Sequence, residues 1–306
     1  MYSLVLILCS LVVVGVYADA DQTNIIYGQD NRRDIKELDS VEIKKLGKSI
    51  AGRVLNFSFQ VSTIDNKISF NNVPTLSSSN SMKVCSGQRF AEQKTAADCT
   101  GFLVGEDLLV TAGHCMMGMG QRVSNRVTRQ CRSFSWMFDY TSESDLNNVS
   151  LDSVYGCESV IAGEFSATKD YALIKLERKV KNRTPLKLSQ SKASLGQKIF
   201  VMGHPSGLPL KYADGARVFE TENDYFSTNL DTFGGNSGSP VFNADTLEVE
   251  GILVRGDTDY VMDFESNGER CMKVNICDQE RENCLEDDPN ILGEHVNYID
   301  IINSNL

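Results

Sequence analysis

Three short segments carry the residue types that nucleophilic catalysis needs. Val110-Thr111-Ala112-Gly113-His114-Cys115 offers an imidazole. Asp170-Tyr171-Ala172-Leu173-Ile174-Lys175-Leu176 offers a carboxylate, and Gly234-Gly235-Asn236-Ser237-Gly238-Ser239-Pro240 a hydroxyl. A serine hydroxyl is a weak nucleophile at neutral pH. It needs an imidazole to take its proton, and a carboxylate to fix that imidazole's tautomer and stabilise its cation. In that scheme His114 is general base and then general acid, Asp170 orients it, and Ser237 forms an acyl-enzyme. The glycines beside Ser237 let the chain turn sharply and aim the N–H groups of Gly235 and Ser237 at a developing oxyanion. An Asp before an apolar strand is common, so Asp170 is selected by its position between the other two segments. Taken singly, His114 would also suit a packed core and Ser237 a turn. Taken jointly, in the order His, Asp, Ser, they read as a triad. His204, in Gly203-His204-Pro205, reads as structural, and His295 as a surface or capping residue.

Short strands must position these groups. Phe102-Leu103-Val104 and Leu108-Leu109-Val110 flank Gly105-Glu106-Asp107 and predict a hairpin leading to His114. Tyr171–Leu176, Ile199–Met202, Pro240–Phe242 and Glu248–Val254 read as further strands, with turn chemistry at Asn243-Ala244-Asp245-Thr246. Many short strands with frequent turns point to an all-β barrel or sandwich. Asp39–Lys48 suits a short helix. Val296, Ile299 and Ile302 predict a terminal helix over Gly293–Asn303.

The chain of 306 residues is 41% apolar, enough for one or two packed cores and too much for a disordered tail. Its net charge of −11 argues against a nucleic-acid partner. Leu4–Val16 is an apolar run of signal-peptide length, ending at the small-residue pattern Val16-Tyr17-Ala18. Removing Cys9 with it leaves eight cysteines, an even count that favours disulfides in an exported chain. The spacing of Cys271, Cys277 and Cys284 is looser than zinc-ligand pairs. The acidic stretch Cys277–Asn290 reads as a solvated loop pinned by cysteines, with calcium as the rival reading. Sequons begin at Asn56, Asn148 and Asn182.

Over residues 85–262 these motifs resemble the chymotrypsin-fold, trypsin-like serine endopeptidases. Gly234–Asn243 and Ile25–Ile35 resemble the bacterial glutamyl-endopeptidase branch in particular. The resemblance implies two six-stranded antiparallel β-barrels, here with a C-terminal helix, and a site in the cleft between them. It pairs Cys99 with Cys115 across the histidine turn. The expected organisation is a signal peptide over 1–18 and a short propeptide plus joining segment over 19–84. The first barrel covers 85–185, the second 186–262, and a cysteine-containing acidic extension with the terminal helix 263–306. The expected protein is a secreted or periplasmic monomer acting on protein or peptide substrates. It would use no cofactor or metal, and no membrane once the signal is removed.

Two departures from trypsin matter. Asn236 stands where trypsin has Asp, so a salt bridge from a freed N-terminus to that position cannot form. In the glutamyl branch the new N-terminus helps build the specificity pocket, which makes Ile25 or Ile26 the matching start after a propeptide of Asp19–Asn24. The second departure concerns specificity. Asp231, six residues before Ser237, takes the trypsin pocket-floor offset and suits an Arg or Lys substrate, with Thr232 beside it. Leu253 replaces the histidine of the glutamyl branch. Strand alternation puts Leu253 and Arg255 on one face and Val254 on the other. If Arg255 entered the pocket it would neutralise Asp231 or attract acidic substrates. The backbone of Val254–Gly256 is expected to pair with substrate as an added strand. The rivals are a catalytically silent protease-like binding protein, an acid-specific endopeptidase, and an esterase of another fold. The esterase order Ser, Asp, His is absent.

Overall fold

Runs of β-branched and aromatic residues, broken by Gly, Asn and Asp, form strands that close on themselves twice. The computed structural model describes residues 26–79, 83–256, 258–278, 284–285 and 293–305. The signal, the short propeptide, Ile25 and most of the acidic stretch after Cys277 lie outside the described residues.

The first barrel uses β1 (Ile50–Leu55), β2 (Cys99–Leu103), β3 (Leu108–Thr111), β4 (Phe134–Phe138), β5 (Val154–Phe165) and β6 (Asp170–Leu176). They run in the ring β6-β3-β2-β1-β4-β5, and β5 pairs back onto β6. A flanking strand, Gln121–Arg126, pairs with β5 outside the ring. The second barrel uses β7 (Lys198–Gly203), β8 (Lys211–Thr221), β9 (Tyr225–Thr228), β10 (Pro240–Asn243), β11 (Val249–Arg255) and β12 (Glu294–Tyr298). Its ring is β7-β10-β11-β12-β9-β8, closed by β7 on β8. Arg33–Asp34 adds to the outside of β8, where buried Asp34 receives the Lys211 ammonium at 2.6 Å.

Period-two alternation explains why several strands are apolar on both faces. On β7, Ile199 and Val201 point into the second barrel with Val218, Val241, Leu253 and Val296. Phe200 and Met202 point the other way, into the same cluster as Phe102, Trp136 and Leu173 of the first barrel. The two barrels therefore share a packed core, and the cleft between them is held by it.

Two sequence expectations are corrected. The first barrel takes β1 from upstream of residue 85, and the second takes β12 from downstream of residue 262. Each ring stays open without that strand. The expected terminal helix is a strand, Glu294–Tyr298, followed by a 3-10 helix over Ile299–Asn305. Val296, Ile299 and Ile302 have helical spacing, but Glu294, Val296 and Tyr298 also alternate. The open edges of β9 and β11 supply backbone partners for them, and that pairing overrides local spacing. The short helix near Asp39–Lys48 is present as α1 (Val41–Gly47), capped by the Ser40 hydroxyl.

Cys99–Cys115, Cys131–Cys157, Cys85–Cys271 and Cys277–Cys284 are disulfide-bonded. Cys85–Cys271 fastens the hairpin Tyr260–Phe264/Arg270–Val274 to the segment before β2.

Deleting residues 293–306 removes the strand that closes the second barrel. The truncated chain is expected to lose its cooperative thermal transition by circular dichroism. A native-like melt in the truncated chain would show that the ring closes without β12.

Candidate active site

The hairpin β2–β3 delivers His114 as its sequence pattern predicts. Asp170 begins β6 on the neighbouring strand, since Ala172 pairs with Thr111. The Asp170 carboxylate accepts twice from one residue. The His114 backbone N–H donates to Oδ1 at 2.9 Å, and ring Nδ1 lies 2.7 Å from Oδ2. A carboxylate accepts, so Nδ1 carries the proton and Nε2 keeps its lone pair. Nε2 is buried and meets no hydrogen-bond partner among the described residues. The Phe165 ring flanks the imidazole at 5.6 Å. Gly113 must be glycine, because a Cβ there would come 2.2 Å from the Glu164 carbonyl oxygen and 3.0 Å from Asp170 Oδ1.

Ser237 approaches from the second barrel, between β9 and β10. Its carbonyl oxygen accepts from the Thr100 N–H at 2.8 Å. Cys115 Sγ lies 3.8 Å from the same oxygen. A disulfide sulfur has no proton to donate, so this is a packing contact. A Cβ on Gly238 would strike Thr100 O, Thr111 Oγ1 and Ala112 N. Residues 237–238 thus lie against the turn that holds His114. Ser237 is 4% exposed, and its hydroxyl makes no hydrogen bond to Nε2 in this arrangement.

Gly235 has φ +93°, and a Cβ there would lie 2.6 Å from the His204 carbonyl oxygen. Its carbonyl accepts from Thr100 Oγ1 at 2.8 Å, and its N–H meets no protein acceptor among the described residues. Gly234 N–H donates to buried Asp259 at 2.9 Å. His204 is buried and structural as expected. Its N–H donates to Thr100 Oγ1, its Nδ1 to Leu208 O, and its ring stacks on Tyr140. Burial pulls its pKa down to about 4. His295 is not at a helix start. It lies half-buried on β12, stacked on Tyr225, and burial, aided by nearby Arg255, lowers its pKa to about 4.

The specificity residues are redistributed. Asp231 is 3% exposed, and its two oxygens accept from the backbone N–H groups of Tyr27 and Asn31, at 2.9 and 2.8 Å. It anchors the N-terminal segment rather than standing open to a cationic side chain. Thr232 is buried and donates to the buried Glu294 carboxylate from β12. Leu253 packs inside the second barrel, Val254 in the core shared by the two barrels, and Gly256 is buried at the strand end. The alternation expected for β11 fails at a bulge. Leu253 faces Val296 and Arg255 faces His295, so two steps on β11 match one on β12. Arg255 donates to Ala167 O at 2.7 Å, in the connection between β5 and β6 of the first barrel. Ile26, one of the two expected mature starts, is fully buried, with its N–H on Asn275 O at 3.2 Å.

Sequence reasoning missed three residues here. Asn297 of β12 accepts the Asp170 N–H at 2.8 Å and donates to Thr168 O and Asp224 O. Phe165 and Glu294 were also missed. All three lie on strands whose pairing the sequence did not expose. Cys99, His114 and Cys115 are close enough to suggest a metal site, as are Cys85, Glu265 and Cys271. In each group the two sulfurs are joined to one another and offer no thiolate.

Residues 99–252 match the model of the trypsin-like peptidase domain. No curated protein sequence matches the chain. Among solved structures, a Glu endopeptidase in complex with MPD is 18% identical with a TM-score of 0.46, over 82% of this chain and 94% of that one. The VesB protease of Vibrio cholerae is 11% identical with a TM-score of 0.49, over 90% and 65%. Neuropsin, a serine protease of mouse brain, is 16% identical with a TM-score of 0.45, over 69% and 87%.

Burial raises the Asp231 pKa from 3.8 to about 7, against the pull of its two N–H donors. Between pH of about 4 and 7 the folded state then holds a proton the unfolded chain has released, so this group's contribution to stability falls as pH rises. Asp231→Asn removes that component. The melting temperature of the variant is expected to gain on that of the unaltered protein from pH 4 to 7 and to run parallel above. A constant difference across the range would refute the assignment.

Proposed function

Because the chain belongs to the trypsin-like peptidase domain family, we propose that it is a secreted serine endopeptidase. His114 takes the Ser237 proton and later returns it to the leaving amine. Asp170 holds the ring and stabilises its cation. Ser237 carries the acyl group until water releases it. The N–H groups of Gly235 and Ser237 bind the oxyanion. One observation carries the reading. The imidazole is fixed by its Nδ1 bond to a buried carboxylate and its Nε2 meets no partner among the described residues, while the turn that bears Ser237 packs on the adjoining Cys115. The Gly235 N–H, which meets no protein acceptor among the described residues, supports the oxyanion role.

A catalytically silent binding protein is the second reading, and the intact triad and glycine turn weigh against it. Export is supported by the apolar leader and by four disulfides, which persist in oxidising compartments. For the residue before the cut, we favour Arg or Lys. The buried carboxylate of Glu294, held against Thr232, is the acid that would meet such a side chain, since both oxygens of Asp231 are taken by Tyr27 and Asn31. Arg255, the cation that would favour an acidic substrate, is engaged with Ala167.

Ser237→Ala is expected to lower kcat by about 10⁵–10⁶-fold while leaving the melt unchanged. A fluorophosphonate should label Ser237 in the unaltered, processed protein alone. Processed protein that neither turns over peptides nor takes the label would favour the silent reading. Cleavage of a mixed peptide library is expected to cut after Arg and Lys; cuts after Glu or Asp would reverse the assignment of the pocket.

A further inference from the structure

The flanking strand Gln121–Arg126 and the following helix, α2 (Arg129–Ser133), enclose a cavity of about 640 Å³ on the first barrel. Four arginines line it: Arg122, Arg126, Arg129 and Arg132. Val123 faces the core, so Arg122 and Arg126, two steps apart in alternation, share the outward face of the strand. Arg129 and Arg132 are three apart on α2 and neighbours on its surface. All four are exposed. Arg122 has Glu164 at 3.8 Å, while Arg126, Arg129 and Arg132 make no ion pair among the described residues. In a chain of net charge −11 this is a local inversion of sign. It is also built. Cys131 of α2 is tied to Cys157 of β5, and the Thr128 hydroxyl caps the helix.

The cavity is connected to the candidate site. Gln121 pairs with Phe165, whose ring lies against His114. Arg126 pairs with Val160, five residues further along β5. At about 3.3 Å per residue the strand carries the arginines from the edge of the cleft to about 17 Å beyond it. An extended peptide spans that distance in about five or six residues.

We propose that this cavity docks an acidic segment of the protein substrate, about five or six residues from the bond to be cut. The proposal rests on the peptidase reading above. Guanidinium groups recognise carboxylates through paired, charge-assisted hydrogen bonds. A surplus of such donors beside a cleft raises the local concentration of acidic substrate. The cavity thereby selects among substrates independently of the pocket for the residue before the cut.

The test uses two peptides with the same short core around the cut. One carries a run of glutamates about six residues from it, the other a run of glutamines, and each pair is made with the run on either side. At low salt the glutamate peptide on one side is expected to show kcat/KM on the order of tenfold higher, through KM. The advantage should vanish near 0.5 M salt, where screening is short-ranged. The double variant Arg126→Gln/Arg129→Gln should lose it while cleaving the core peptide and taking the fluorophosphonate as before. Equal kcat/KM for the two peptides on both sides overturns the proposal, as does an advantage that survives in the double variant. Inorganic sulfate that abolishes the advantage where chloride of equal ionic strength does not would make the cavity a small-anion site and overturn it too. If the core peptide is not cleaved and Ser237 is not labelled, the peptidase reading fails by itself. Docking is then read by fluorescence anisotropy of the labelled glutamate peptide, where binding lost in the double variant supports it and absence of binding overturns it.

Discussion

The arrangement depends on one carboxylate that accepts from the same residue twice. Asp170 takes the His114 backbone N–H on one oxygen and ring Nδ1 on the other. The first bond fixes where the residue is, and the second fixes which way its ring faces and which nitrogen keeps a lone pair. Almost no water reaches Asp170, so these hydrogen bonds act in a medium that strengthens them. Its own N–H is held by Asn297 from the last strand of the second barrel. Ser237 comes from that barrel as well. One strand therefore both closes the second ring and ties the first barrel's carboxylate to it, so closure of the fold and alignment of the site are the same event.

Around this centre the molecule uses buried polar groups to set backbone positions. Thr100 accepts the His204 N–H, donates its hydroxyl to Gly235 O, donates its N–H to Ser237 O, and receives Thr111 Oγ1 on its carbonyl. A single residue of β2 thus spans from the histidine hairpin to the serine turn. Buried polar atoms left unsatisfied cost about 1–3 kcal/mol each. The turn at Gly235, with its positive φ, is held in place because moving it would break several of these bonds together.

The candidate site was legible in the sequence because its residues sit in three contiguous motifs, each readable without long-range pairing. Cys99 and Cys115 are bonded as the family resemblance implies. What was not legible depends on pairing across the chain. The sixth strand of each barrel lies outside the expected barrel bounds. The β11 bulge between Leu253 and Arg255 has no local signature, nor does the bond from Arg255 to Ala167. Asp231 itself has the trypsin offset, and only the fold reveals that the backbone of Tyr27 and Asn31 fills its oxygens. Glu294, hidden in an expected helix, is the carboxylate that meets Thr232.

Burial also changes the charge that the site surroundings carry. Asp231 is pushed up to about 7, while His204 and His295 are pulled down to about 4. In each case desolvation of the charged form is the largest cause, and it acts in opposite directions on an acid and a base. Between those values the folded protein favours the neutral form of all three groups, where free side chains would hold a negative carboxylate and imidazoles part-way to cations. The couplings to stability are opposed. The histidines add stability as pH rises from about 4 to 6.5, because the unfolded chain still binds their protons, whereas Asp231 withdraws it up to about 7. Acid tolerance of the second barrel is therefore a difference of two burial effects.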